Sequence, residues 1–273
     1  MTKTYAVIGD PIDHSLSPNI HNAAFRELEL DCTYIAYRIP KGELEEGLDA
    51  LKKIKIAGFN VTIPHKVEIM KYLNKVDEDC SLIGASNTVS NNDGKLKGYN
   101  TDMDGFLEPI KRRDIPIKDS KVLLLGAGGA ARAIVAGFTK EKAGSITIAN
   151  RTKENATSLA QFAHKIGINA TGISLDEIGD SISDYKFIVN ASSIGLKNEP
   201  IPLPIETVNQ DSIVYDIVYK PMNTDLIKKS KQKGATVIYG YEMLLGQAAI
   251  AFEIWHETKA PYEAMKKAIL GGF

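Results

Sequence analysis

The side chains best suited to chemistry stand at the ends of predicted strands. In Asn60-Val61-Thr62-Ile63-Pro64-His65-Lys66, strand alternation puts Asn60 and Thr62 on one face, Pro64 ends the strand and Lys66 follows beyond it. Polar groups at alternate positions suggest a binding surface. Asn87-Thr88 and Asn100-Thr101-Asp102 add short amides, hydroxyls and one carboxylate, a set suited to hydrogen bonds with several ligand hydroxyls. Ser15-Leu16-Ser17-Pro18 sets two hydroxyls at the start of a predicted helix, beside N–H groups without helical partners, where a carboxylate can be held. Each cluster alone has a plainer use: serine before proline caps helices, Asn and Asp shape turns, and a lone lysine is solvated. Their shared position at strand ends, in a chain that also carries a dinucleotide loop, favours a site, because open α/β sheets bind ligands there.

That loop is Gly126-Ala127-Gly128-Gly129-Ala130-Ala131-Arg132, running from a strand directly into an alanine-rich helix. Gly126 permits a tight turn, Gly128 lets a pyrophosphate approach the backbone, and Ala131 allows close helix packing. Free N–H groups at the helix start would face the phosphates. The next strand ends in Asn150-Arg151-Thr152, where an NAD-binding fold carries an acid on the ribose hydroxyls. Arginine pairs with a ribose phosphate that an acid would repel, so the residue choice points to NADP. A helix-start arginine in solvent is the plainer alternative.

Apolar runs alternate with stretches of helical period along the whole chain, which is the α/β pattern of parallel strands and crossover helices. Strands are expected at 5–8, 33–39 and 59–63 with helices at 19–28 and 43–52, then a hairpin turning at Asn91-Asn92-Asp93-Gly94. A helix over 102–112 leads to Asp114-Ile115-Pro116, a polar joint that marks a domain boundary within 105–118. A second doubly wound sheet follows, with strands at 122–125, 145–149, 187–190, 213–216 and 236–239. The apolar helix 242–255 and a charged helix ending near Leu270 should pack back onto the first domain.

The length of 273 residues suits two domains or one large α/β unit. Lysine and arginine total 33 against 34 acidic residues, which gives no general attraction to nucleic acid or anionic lipid. No stretch is apolar enough for a membrane span, and the amino terminus lacks the pattern of a secretory signal, so a cytoplasmic location is expected. Cys32 and Cys80, far apart, read as buried free thiols. His14, His21, His65, His164 and His256 show no metal-ligand spacing, and no metal is expected.

The strings SLSP, NVTIPHK, SNT, YNTD, GAGGAAR, NRT and LLGQAA, in that order and spacing, resemble the shikimate dehydrogenase family over nearly the whole chain. The resemblance implies two α/β domains: 1–105 with 242–273 for substrate binding and catalysis, and 106–241 as a Rossmann-type NADP domain, with the active cleft between them. It implies an NADP-dependent reduction of 3-dehydroshikimate to shikimate in aromatic amino acid biosynthesis, by a monomer or homodimer. Lys66 and Asp102 would form the catalytic pair. Ser15 and Ser17 would hold the substrate carboxylate under Tyr219, and Asn60, Thr62, Asn87, Asp102 and Gln247 would meet ring hydroxyls. Cofactor contacts would come from Gly126, Ala127, Gly128, Gly129, Ala130, Asn150, Arg151, Thr152, Lys153, Ala191, Ser192, Ser193, Ile217, Gly240, Met243 and Glu78. Asn155 stands where a second arginine is common, leaving Lys153 to compensate as a point charge. Two alternatives are a quinate/shikimate dehydrogenase of broader specificity, disfavoured by Ser17 and Arg151, and a noncatalytic NADP-binding sensor, disfavoured by Lys66 and Asp102.

Overall fold

The structure, a computed structural model, describes residues 2–272. The chain divides into two compact units, one comprising the chain up to Gly105 with Leu245–Gly272, the other Phe106–Leu244.

In the first unit the chain runs β1 (Lys3–Gly9), α1 (Ser17–Glu27), β2 (Cys32–Arg38), α2 (Leu44–Lys53), β3 (Gly58–Val61), β4 (Lys75–Val76), α3 (Glu78–Ile83), β5 (Thr88–Asn92), β6 (Lys95–Tyr99) and the start of α4 (Asp102–Lys111). Helix α2 shows why these segments settle as they do. Its Leu44, Leu48 and Leu51 recur on one face and are buried, with acids in the first turn and lysines in the last, matching the helix dipole. The six strands are ordered β2-β1-β3-β5-β6-β4. Strand β1 is parallel to β2 and β3, whereas β3 to β5 and β5 to β6 are antiparallel. Asp93 and Gly94 make the hairpin turn with φ of 49° and 85°. One side of the core is a cluster of Tyr5, His21, Phe25, Tyr34, Phe252, Trp255 and His256.

The second unit contains β7 (Lys121–Leu125), α5 (Gly129–Lys140), β8 (Ser145–Asn150), α6 (Lys153–Lys165), β9 (Asn169–Ser174), β10 (Phe187–Asn190), β11 (Ile213–Asp216), α7 (Asp225–Gln232), β12 (Thr236–Tyr239) and the first turn of α8 (Gly240–His256). Helix α9 (Tyr262–Leu270) returns to the first unit. The strands are all parallel in the order β12-β11-β10-β7-β8-β9. The order reverses at β7, so the glycine loop leaves the sheet at its switch point, where such sheets bind ligands.

Two expectations change. The first unit gives way to the second between Gly105 and Phe106, inside α4, at the leading edge of the 105–118 window and ahead of the proline joint. Phe106 stacks on Tyr215 of the second core at 4.7 Å, which assigns the rest of that helix. Cys32 is only half-buried, in an edge strand, whereas Cys80 is buried; both are free thiols. Strand β9 was not expected, since Asn169-Ala-Thr-Gly-Ile-Ser174 lacks the apolar run of the other strands, as suits an edge.

Candidate active site

In the first unit Lys66, Asn87 and Asp102 meet although 36 residues separate the outer two. The backbone accounts for it. Asn87 lies between β3 and β6, accepting from Val61 N at 2.8 Å and donating to Tyr99 O at 3.1 Å, and Ser86 N donates to Lys66 O at 2.8 Å. Asp102 opens α4 with its N–H on Asn100 Oδ1 at 3.1 Å. Lys66 Nζ then donates to Asp102 Oδ2 at 2.5 Å, with side chains 17% and 8% exposed. Asn87 Nδ2 donates to the other carboxylate oxygen at 2.9 Å. The carboxylate is thereby fixed from both sides, and the ammonium is held at the rim of a buried polar cluster.

The flanking groups are equally ordered. Asn60, 5% exposed, donates to Asn87 O and Thr88 Oγ1 at 3.1 and 2.9 Å and accepts from the Tyr34 hydroxyl at 2.6 Å. Both amides thus spend their N–H groups inside the protein, so Asn87 meets a ring hydroxyl only by sharing a donor now given to Asp102 or Thr101. Thr62, just past β3, is half-buried. Neither Ser15 nor Ser17 caps α1; the cap position is Leu16, with no side-chain cap bond. The plainer use of these serines is therefore absent. Ser17 is buried, with its N–H on Ser15 Oγ at 3.3 Å. Gln247 is buried on α8 beside Gly105, where an added Cβ would stand 2.6 Å from Gln247 N.

The second unit supplies a pocket of about 240 Å³ lined by Gly126, Asn150, Arg151, Thr152, Ser192 and Ser193 among others. Gly126 has φ +102°, and a Cβ there would lie 2.7 Å from Ala191 O, so both conformation and space demand glycine. Around Gly128 the space is open, and α5 starts after it without a side-chain cap. Uncapped N–H groups facing open space fit a pyrophosphate. Arg151 is exposed at the pocket wall and makes no hydrogen bond or ion pair among the described residues. These features fit a dinucleotide carrying a ribose phosphate.

Lys153, expected to compensate as a point charge, has a partner of its own. Its ammonium is tied to Glu177 at 2.6 Å, and Asn155, not Lys153, lines the pocket. Lys153 and Ser174 hold the Glu177 carboxyl down to about 2. Glu78, exposed on α3 of the first unit, does not line this pocket. Ile217, Tyr219, Gly240 and Met243 lie after β11 and at the start of α8, with Met243 buried and the Tyr219 phenol pushed up by burial.

Two residues that order this region were missed. Asn190 and Asp216 end adjacent strands in register. Asn190 accepts from Ser192 Oγ at 2.6 Å and donates to Asp216 at 2.9 Å; Asp216 accepts from Val218 N and Thr224 Oγ1. Burial raises the Asp216 carboxyl to about 6. The signal was an amide and an acid ending two otherwise apolar strands. Among the described residues no cluster could hold a metal ion, and no helix is long and apolar enough to cross a membrane.

Three family models match: the shikimate dehydrogenase substrate binding domain over residues 7–89, shikimate / quinate 5-dehydrogenase over 110–201, and the shikimate 5'-dehydrogenase C-terminal domain over 240–270. The shikimate dehydrogenase (NADP(+)) of Nitrosopumilus maritimus is 72% identical over 100% of both chains. The crystal structure of shikimate 5-dehydrogenase from Thermus thermophilus with NADP(H) and shikimate superposes with a TM-score of 0.89, at 34% identity and 100% coverage of both chains. Quinate dehydrogenase from Corynebacterium glutamicum in complex with NAD gives a TM-score of 0.92 at 26% identity, covering 99% of each chain.

Proposed function

The chain belongs to the shikimate dehydrogenase family, and we propose on that footing how its own residues perform the reaction. It is an oxidoreductase that reversibly reduces 3-dehydroshikimate to shikimate with NADP, a step of the shikimate pathway. NADP, when bound, supplies or accepts the hydride. The protein's part is to bind, orient and move one proton.

Lys66 is the proton carrier in this reading. As a ring ketone is reduced, negative charge grows on its oxygen, and an ammonium within hydrogen-bond reach stabilises that oxygen and gives it a proton. In the reverse direction the neutral amine takes the proton back. Asp102 keeps Lys66 in place, and its 2.5 Å bond to Nζ is the observation that carries the assignment. Ser15 and Ser17 hold the carboxylate, joined by Tyr219. Thr62, Asp102 and Gln247 meet the ring hydroxyls, with Asn60 and Asn87 bonding the frame that presents them. Gly126 to Ala130 and the start of α5 take the pyrophosphate. Asn150, Arg151 and Thr152 take the adenosine end, with Arg151 on the ribose phosphate, and Ala191, Ser192, Ser193, Ile217, Gly240 and Met243 take the nicotinamide side. A cytoplasmic enzyme acting as monomer or homodimer completes the reading.

The test is NADPH formation when shikimate is added to the protein with NADP+, with quinate and NAD+ as parallel arms. Shikimate with NADP+ is expected to be the fastest pair. A folded Lys66→Met variant that turned over at the parent rate would remove Lys66 from the mechanism. Silence of the parent in every arm would reduce the chain to a binding protein.

A further inference from the structure

The hydrogen bonds around Asp102 continue well beyond the residues that face a ligand. Tyr34 lies on β2, 2% exposed, and is held in place independently of its hydroxyl. Asn22 clamps both of its backbone groups at 2.9 Å, and its ring stacks on His21 with centroids 4.4 Å apart at 7°. The hydroxyl reaches Asn60 Oδ1 at 2.6 Å.

Backbone atoms fix the orientation of both amides. Asn60 Nδ2 stands 3.1 Å from the carbonyl of Asn87, which can only accept, so Oδ1 must accept and the phenol must donate. Thr101 N donates to Asn87 Oδ1 at 2.8 Å, so Asn87 Nδ2 is the group donating to Asp102. Between the amides, Asn60 Nδ2 donates to Thr88 Oγ1 at 2.9 Å and Thr88 Oγ1 donates to Asn87 Oδ1 at 3.1 Å. Donors therefore point one way, from the phenol to the carboxylate, and such chains strengthen link by link.

We propose that Tyr34 is a positioning residue for proton transfer, acting through Asn60, Thr88 and Asn87 on the Asp102–Lys66 pair. The inference rests on the function proposed above. Burial pushes the phenol well above its usual range and outweighs an opposing hydrogen bond from Ser17, so it stays a donor wherever the enzyme works. Any effect of losing that Ser17 contact is read in KM for shikimate, apart from the pH profile. Without the hydroxyl, Asn60 Oδ1 is left unmet in the interior, its amide relaxes, and Asn87 holds Asp102 less firmly.

Tyr34→Phe keeps the ring and its stacking and removes only the oxygen. Its kcat is expected to fall roughly three- to tenfold, with NADP affinity unchanged. The pH profile of kcat for ketone reduction should shift with it, because a loosened Asp102 no longer fixes Lys66. Thr88→Val breaks the same chain from β5 and should shift the profile the same way, which keeps the test open if Tyr34→Phe folds poorly. Phe252→Leu, a cavity in the same aromatic core outside the chain, should lower the melting temperature and leave the pH profile in place. An unshifted profile in both Tyr34→Phe and Thr88→Val, or an equal shift in Phe252→Leu, would overturn the proposal. A parent that makes no NADPH from shikimate would sink the functional reading itself, whereas an active parent with indifferent variants sinks only the role of Tyr34.

Discussion

Asp102 and Arg151 are both charged groups assigned to ligands, yet their surroundings are opposite. Asp102 accepts from Lys66 and Asn87 within a buried network, whereas Arg151 ends at a pocket wall without a partner among the described residues. Under the proposed roles, the first arrangement is built before any substrate arrives, as proton transfer requires, because the donor must already be aimed where charge will grow. Under the same roles the second leaves the ligand to complete it: backbone N–H groups and one free guanidinium would meet phosphates that bring their own charge. Changes in the closed cluster should therefore show in turnover, and changes at the open pocket in affinity.

The largest effect expected under that contrast is loss of roughly 10²–10⁴ in kcat for Lys66→Met, with NADP affinity intact. Weaker NADP binding at normal turnover in that variant would break the division. Next, Arg151→Ala should cost about 1.5–3 kcal/mol in NADP binding and leave NAD binding unchanged, as read by fluorescence titration. Equal losses with both cofactors would move Arg151 off the ribose phosphate. Ser17→Ala is expected to raise KM for shikimate roughly tenfold with kcat nearly preserved, since a carboxylate contact persists through the reaction. A collapse of kcat at fixed KM would place Ser17 among the groups acting in the transition state. Smallest should be Lys153→Ala, below about threefold on NADP affinity, because Glu177 already occupies that ammonium. A loss matching that of Arg151→Ala would mean the ion pair opens for the cofactor.

Acidification separates the two units by sign. Burial, with His256 nearby, lowers His21 from 6.5 to about 3, so folding of the first unit favours the neutral ring. That stability is whole above 6.5 and lost as pH falls towards 3. Asp216 is raised from 3.8 to about 6, so the second unit is penalised above 6 and relieved as pH falls towards 4. Hydrogen-exchange protection should therefore fall in the first unit and hold or rise in the second between pH 6.5 and 4. His21→Phe should flatten the first trend, and parallel loss in both units would contradict the assignment.

Much of this was legible in the residues. Apolar runs such as Ile213–Asp216 give strands, and the glycine loop between strand and helix gives the pocket, because both signals are local. The meeting of Lys66 with Asp102 is not local; the order of motifs implied it through family resemblance, and only the pairing of Asn87 with its neighbours explains it. Tyr34 was invisible because a buried tyrosine in a strand looks like core, and its hydroxyl acquires meaning only opposite Asn60. The partner of Lys153 was equally hidden: Glu177 lies 24 residues away on a polar turn that no pattern marked.

Helices α4 and α8 each begin in one unit and end in the other, and meet where Gly105 and Gly246 leave no room for a Cβ. The second unit is thus an insertion within the first, and this sets an order of birth. As the chain leaves the ribosome, the second unit has all its strands once Tyr239 emerges, while the first still waits for its closing helices. Termination ahead of Leu245 would therefore leave the second unit whole beside an unfinished partner, so Leu245–Gly272 govern the unit whose first strands were made earliest.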